Sequence, residues 1–222
     1  MGQWQNLTAS DGFRLSAYRA DPASPPRGGL VVAQEVFGVN SHIRAVCDAF
    51  AADGYTTVAP ALFDRYERDF DVGYTPEDIA RGRTLKARAR SDAALRDIAA
   101  ARGAAADAGR VGIVGYCWGG YLSWMSAAQV PGFACAVTYY GGGMTEALTE
   151  QTRCPVCAHF GERDAAIPLA GVKQLAAAHP EVQIYLYPAE HGFNCDQRRS
   201  YDPASAQLAR ERTLAWLRRY VG

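Results

Sequence analysis

The stretch that decides the fold is Arg110-Val-Gly-Ile-Val-Gly-Tyr-Cys-Trp-Gly-Gly-Tyr-Leu-Ser-Trp-Met125. Residues 111–114 are a short apolar run, mostly β-branched, of the kind that suits a buried strand. Gly115, Gly119 and Gly120 follow, and Cys117 lies between them. A nucleophile elbow needs small residues at a strand-to-helix turn, because the nucleophile is held in a strained backbone conformation. The stretch therefore predicts a thiol nucleophile at Cys117.

Predicted strands and helices alternate along most of the chain. A hairpin around Ser10-Asp-Gly12 joins strands at 4–9 and 13–20, and further strands are predicted at 30–33, 55–59, 111–114, 134–140, 156–160 and 182–187. Helices are predicted at 41–52 with Ser41 as N-cap, from Thr75 to about Arg102 with an interruption near Gly82, after the elbow, at 168–178 and at 205–220. This order predicts a single α/β domain over residues 1–222, with a mostly parallel central sheet and helices on both faces.

The composition disfavours several classes of function. The 222 residues are 49% hydrophobic and 21% charged, as in an ordinary globular protein, and 23 basic against 23 acidic side chains give no net charge. A nucleic-acid or anionic-membrane partner is therefore not expected. The N-terminus lacks a signal-peptide pattern, and no apolar run approaches the roughly 20 residues of a membrane span. We expect a cytoplasmic protein with reduced cysteines, most simply a monomer.

Four chemically capable side chains each follow a predicted strand: Glu35, Cys117, Asp164 and His191. In parallel sheets, ligands bind outside the carboxyl ends of the strands, so the fold could bring all four to one edge. The order nucleophile, acid, histidine is that of α/β-hydrolases. His191 would take the thiol proton and later return it to the leaving group, and Asp164 would orient the imidazole.

An oxyanion site is expected from the backbone. The N–H of Trp118 and one from the loop near Val36 would meet the developing negative charge. Structural roles are predicted for other cysteines and histidines. Cys47 and Cys135 are expected to be small buried hydrophobes, and His159 is expected to be a core residue. Cys154-Pro-Val-Cys157 has a C-x-x-C spacing but no second pair of ligands, so we expect no metal and no cofactor.

Four motifs together resemble the dienelactone hydrolase family. They are Gln34-Glu-Val-Phe-Gly38, Gly115-Tyr-Cys-Trp-Gly119, Gly161-Glu-Arg-Asp164 and Glu190-His-Gly-Phe193, in the family's order. The resemblance implies an α/β-hydrolase fold, a Cys117–His191–Asp164 triad, and hydrolysis of an unsaturated lactone to a keto acid such as maleylacetate, in chloroaromatic degradation. It also implies that Glu35 contacts the resting thiol and helps it ionise when substrate binds.

The substrate pocket departs from the family pattern. Family enzymes hold the lactone carboxylate with arginines, one of them four residues after the catalytic histidine, where this chain has Cys195. The nearest arginines are Arg198 and Arg199. Another small ester or thioester is therefore an alternative substrate, and a non-catalytic binding protein is an alternative class. The candidate substrate-binding residues are Arg81, Arg83, Arg198 and Phe37.

Overall fold

Eight strands form a sheet in the computed structural model, which describes residues 2–222. The strands are β1 (Gln3–Thr8), β2 (Arg14–Ala20), β3 (Gly28–Ala33), β4 (Tyr55–Pro60), β5 (Val111–Tyr116), β6 (Phe133–Tyr139), β7 (Val156–Gly161) and β8 (Gln183–Tyr187). Their order is β1-β2-β4-β3-β5-β6-β7-β8. β2 pairs antiparallel with β1 and β4, and the remaining neighbours pair in parallel.

Six α-helices connect and cover these strands. They are α1 (Ser41–Ala52), α2 (Pro76–Arg88), α3 (Ser91–Ala104), α4 (Trp118–Gln129), α5 (Leu169–Ala178) and α6 (Pro203–Tyr220). Every residue of β3, β4, β5 and β7 is buried. Because successive side chains of a strand point to opposite faces, the centre of the sheet is covered on both faces. This confirms the predicted α/β architecture.

The predicted break near Gly82 is wrong. The helical region divides at Ala89 and Arg90, between α2 and α3, and Gly82 lies inside α2. A Cβ on Gly82 would lie 2.1 Å from the carbonyl oxygen of Val36. The glycine is therefore a packing requirement: it lets α2 approach the loop that follows β3.

The helix starts depend on local caps. Thr75 and Asp78 form the reciprocal capping box of α2, with the Thr75 hydroxyl accepting from the Asp78 N–H at 3.2 Å. The N-cap of α1 is Asn40, whose side chain accepts from the Ile43 N–H at 3.2 Å. The predicted cap, Ser41, is instead the first residue of the helix. Asparagine and serine side chains can both cap a helix, so the sequence alone could not decide which of these two neighbouring residues is the N-cap.

Membrane insertion finds no support in the helices. Within residues 2–222, none of them combines the length and the apolarity that crossing a bilayer requires.

We predict that Gly82→Ala destabilises the fold, whereas Gly103→Ala does not. The alanine methyl at position 82 would collide with the Val36 carbonyl, and overpacking of this kind costs about 1–3 kcal/mol. Gly103 lies on an exposed part of α3 with no atom within 4 Å of its virtual Cβ, so alanine there should add about 0.4–1 kcal/mol. Urea unfolding measures both, and equal stabilisation by the two alanines would contradict the packing argument.

Candidate active site

The elbow at Cys117 joins the end of β5 to the first turn of α4. Cys117 has φ 55° and ψ −114°, a conformation that a non-glycine residue holds only under strain. A Cβ on Gly115 would lie 1.9 Å from the Gly119 carbonyl oxygen, and one on Gly119 would lie 2.2 Å from the Ala33 carbonyl oxygen. These glycines therefore let the turn close, and the Cys117 thiol is left half-buried.

A continuous chain of polar contacts runs from this thiol to a buried carboxylate. His191 Nε2 lies 3.2 Å from Cys117 Sγ, and His191 Nδ1 lies 2.7 Å from Asp164 Oδ2. The other oxygen of Asp164 accepts the N–H of Ala166 at 2.8 Å, which fixes the orientation of the carboxylate. The structure thus brings together three side chains from the loops after β5, β7 and β8.

The surroundings of His191 favour its charged form. Burial lowers its pKa, but the hydrogen bonds to Asp164 and Cys117 outweigh burial and raise the pKa to about 10. These contacts favour the protonated imidazole. Its Nε2 lies 3.2 Å from a sulfur at the start of a helix, and an imidazole and a helix N-terminus are the usual surroundings of a reactive cysteine.

Two backbone N–H groups, one at the elbow and one in the loop after β3, were predicted to receive an oxyanion. Trp118 begins α4 and Val36 lies in the loop after β3, and neither N–H has an acceptor among residues 2–222. The close approach of Gly119 to the carbonyls of Ala33 and Gln34 holds these two segments together. The helix N-terminus at Trp118 adds its dipole there, and an oxyanion site shared with Val36 stays a prediction.

Glu35 has other partners than the family resemblance implies. Its side chain is 1% exposed; Oε1 accepts from Arg198 Nη1 at 3.2 Å, and Oε2 accepts from the Tyr74 hydroxyl at 3.4 Å. No hydrogen bond joins Glu35 to Cys117 within residues 2–222. The implied contact with the resting thiol is therefore replaced by a buried ion pair with Arg198.

Arg198 owes its position to Gly192, the residue that follows His191. A Cβ on Gly192 would lie 2.4 Å from Arg198 Nη1, and Gly192 has φ 81°. The guanidinium therefore crosses the backbone next to His191. The guanidinium carbon of Arg198 also lies 5.8 Å from the Phe37 ring centroid and 5.9 Å from the Tyr74 ring centroid. Arg198 and Phe37, both predicted to bind substrate, lie beside Glu35.

The two arginines predicted on α2 are not brought to this cluster. Arg81 Nη2 pairs with Glu67 at 2.9 Å, its guanidinium lies over Phe70, and its side chain is more than half exposed. Arg83 is exposed on the same helix and forms no ion pair among residues 2–222. Neither arginine forms an ion pair with Glu35 here, and the second clamp from α2 stays a prediction.

Two tyrosines of the site escaped the sequence analysis. Tyr140 follows β6 with φ 41°, its ring lies 5.1 Å from that of His191, and its buried hydroxyl has no partner among residues 2–222. Burial, and then the charge of Glu35, raise the pKa of Tyr140 well above its usual range. Its position directly after a strand is a pattern from which the sequence could have identified Tyr140 as a candidate site residue. Tyr74, whose ring is tilted against that of Phe37 with the centroids 4.5 Å apart, lies in a loop whose sequence gives no such signal.

The histidine and cysteines expected to be structural behave as such. His159 is fully buried, with Nδ1 2.8 Å from the Tyr187 hydroxyl and Nε2 3.1 Å from the Thr213 hydroxyl. Burial lowers the pKa of His159 to about 3, so it stays neutral. Cys47 and Cys135 are buried, and all six cysteines are free thiols.

Comparison with known proteins decides the family. A model described as "Dienelactone hydrolase family" matches residues 15–221. The chain belongs to the dienelactone hydrolase family. Membership establishes the α/β-hydrolase fold and a hydrolase that acts on the ester bonds of small molecules.

Individual relatives extend the similarity over nearly the whole chain. A Synechocystis protein and an Escherichia coli protein, both named "Putative carboxymethylenebutenolidase", are 34% and 32% identical over 215 and 236 residues. The first alignment covers 87% of each chain, and the second covers 96% of this chain and 85% of the relative. A crystal structure from Klebsiella pneumoniae, described as a "Putative Dienelactone Hydrolase", has a TM-score of 0.86 and 31% identity, covering 99% of this chain and 100% of the other.

We predict that iodoacetamide at neutral pH alkylates Cys117 before the other thiols. Cys117 is half-buried and its sulfur lies 3.2 Å from His191 Nε2, at the start of a helix, which is the setting of a reactive cysteine. Burial raises the pKa of the other thiols: to about 11 for Cys154 and Cys195, to about 12 for Cys47 and Cys157, and further for Cys135.

Peptide mass spectrometry of the alkylated protein gives the order of labelling. His191→Gln should slow the labelling of Cys117 about tenfold or more, because the imidazole in contact with the sulfur is lost. Cys154→Ser is the matched control and should leave the rate unchanged. Labelling that starts at Cys154, or that ignores the His191 substitution, would contradict the activation of Cys117.

Proposed function

We propose that this protein hydrolyses a small ester or lactone through a cysteine nucleophile, with Cys117, His191 and Asp164 as the triad. The observation that carries the proposal is the contact chain from Sγ through the imidazole to the buried Asp164, starting at a residue with φ 55°. A binding protein has no need of a strained thiol aligned with a base and an acid. The non-catalytic alternative is therefore disfavoured.

The proposed reaction runs in two halves. The Cys117 thiolate attacks the carbonyl carbon, and the N–H groups of Trp118 and Val36 receive the oxyanion. The intermediate collapses to a thioester as the ester C–O bond breaks, and protonated His191 gives its proton to the leaving oxygen. Neutral His191 then takes a proton from water, whose hydroxide attacks the thioester. The thiolate leaves, and the carboxylic acid product loses its proton to solvent as it is released.

Arg198 supports an anionic substrate, such as the dienelactone of the family name. Its guanidinium lies beside Glu35 and crosses the backbone at Gly192, next to His191. Only Nη1 is engaged by Glu35, so other donors of the planar fork are free to meet a carboxylate. We propose that Arg198 takes the role that the family gives to an arginine at the position of Cys195. The product would then be a keto acid of the maleylacetate type, formed in chloroaromatic degradation.

Glu35 is proposed to respond to such a substrate. A substrate carboxylate at Arg198 would compete with the Glu35 carboxylate for the same guanidinium, and a buried carboxylate without a partner is costly. Release of Glu35 from Arg198 would let it approach the thiol, which is the role that the family resemblance implies.

An uncharged ester or thioester is the second candidate substrate. The observation that favours it is the Glu35–Arg198 pair itself, because it already neutralises the one arginine found beside the proposed triad in residues 2–222. In that case Arg198 would be a structural partner of Glu35. Both versions require the same triad.

We predict that Cys117→Ala and His191→Ala each reduce hydrolysis of a chromogenic ester and of a dienelactone by about a thousandfold or more, because each removes a reacting group. Asp164→Asn should reduce kcat by a similar factor through the wrong imidazole tautomer. Steady-state kinetics measures these losses, with Cys154→Ser as the matched control. Full activity in Cys117→Ala would rule out the mechanism.

We also predict that Arg198→Lys changes substrate preference. Loss of a forked contact with a carboxylate costs about 1.5–3 kcal/mol, so kcat/KM for an anionic dienelactone should fall about 10- to 100-fold relative to an uncharged ester. The ratio of kcat/KM for the two substrates cancels any general effect of a substitution on folding. Arg83→Lys is the matched control and should leave this ratio unchanged. An unaltered ratio in Arg198→Lys would favour the uncharged substrate.

A further inference from the structure

Three buried side chains with different donor atoms meet beside Arg198. Glu35 comes from the loop after β3, His42 from the first turn of α1, and Cys195 from the segment after His191. A carboxylate oxygen, an imidazole nitrogen and the thiol sulfur all lie within 4.8 Å of one another. The side chain of His42 is 4% exposed and that of Glu35 is 1% exposed, while Cys195 is fully buried.

His42 has an unsatisfied nitrogen. Nδ1 lies 3.2 Å from Asp196 Oδ1, and since a carboxylate only accepts, this contact places the ring proton on Nδ1. The lone pair of Nε2 then faces away from Asp196, and Nε2 is buried with no hydrogen-bond partner among residues 2–222. Buried polar atoms are rarely left in this state. A carboxylate that orients a histidine in this way is the usual second shell of a metal-binding imidazole.

The carboxylate of the cluster is supported in a similar way. Tyr74 donates to Glu35 Oε2 and accepts from Asn40 Nδ2 at 3.1 Å, and Arg198 donates to Oε1. Each carboxylate oxygen has two lone pairs, so these contacts leave room for a further ligand bond. Hydrogen-bonded carboxylates of this kind are also typical around bound metals.

We propose that Glu35, His42 and Cys195 form a binding site for a zinc(II) ion. Sulfur and imidazole donors favour zinc over magnesium or calcium, which require oxygen ligands. Zinc with three protein ligands and an open fourth position is a common arrangement, and its ligand atoms lie about 3.5 Å apart. The three groups must therefore close by roughly 1 Å, within reach of small side-chain rotations.

The charges of the site balance when the ion binds. The Cys195 thiol loses its proton to solvent as the Zn–S bond forms, and nothing is oxidised or reduced. Glu35, the Cys195 thiolate and Asp196 then supply three negative charges. Zinc and Arg198 supply three positive charges. The neighbouring guanidinium is therefore compatible with the ion.

Metal retention tests the site without relying on enzymatic activity. The full chain is incubated with zinc, dialysed and analysed by mass spectrometry for bound metal. Wild type and Cys117→Ser should each keep about one equivalent, whereas Cys195→Ser and His42→Gln should lose it. Asp196→Asn should weaken binding about 10- to 100-fold, since it removes only the orienting carboxylate.

Cobalt(II) substitution identifies the sulfur ligand from its spectrum. Wild type and Cys117→Ser should show an intense near-ultraviolet band from sulfur-to-cobalt charge transfer, and Cys195→Ser should lack it. Circular dichroism checks the fold of each variant. Metal kept by Cys195→Ser but lost by Cys117→Ser would place the ion at the thiol–imidazole pair and overturn the proposal. Failure of wild type to retain zinc would overturn it as well.

Discussion

The close approach of α4 to the end of β3 is the constraint on which the site depends. Gly119 presses against the Ala33 carbonyl so tightly that a methyl group would lie 2.2 Å from the oxygen. This contact places the first turn of α4 against the start of the loop that carries Val36, and Cys117, just before that turn, has φ 55°. Strain of this kind costs about 1–3 kcal/mol, which the buried central strands offset.

Because the central strands are parallel, several loops can add side chains to the site that begins at this contact. β5, β7 and β8 run in the same direction, so the loops after them open at the same edge of the sheet. His191 and Asp164 arrive from two of these loops and meet at 2.7 Å. The sequence could predict this meeting, because the position of each residue after a strand and the order of the residues along the chain follow from local patterns alone.

The polar cluster beside the thiol could not be predicted in this way. Its geometry depends on contacts between segments far apart in sequence, such as Glu35 with Arg198 and Arg198 with the backbone at Gly192. A glycine also has several uses, and only the fold distinguishes them. Gly82 looked like a helix breaker, yet it lies inside α2 because the Val36 carbonyl leaves no room for a side chain. His42 carries no local signal, since its significance comes from Asp196, Glu35 and Cys195 in the folded chain.

Glu35 connects the proposed catalytic and metal-binding functions. A carboxylate with 1% exposure needs a partner in every state of the protein, because an isolated buried charge is unstable. Arg198 and Tyr74 are its partners here. An anionic substrate at Arg198 would weaken the first of these contacts, whereas a cation beside His42 and Cys195 would supply a stronger partner. The two ligands therefore act on the same carboxylate in opposite ways: the substrate would free Glu35, and the metal would hold it in place.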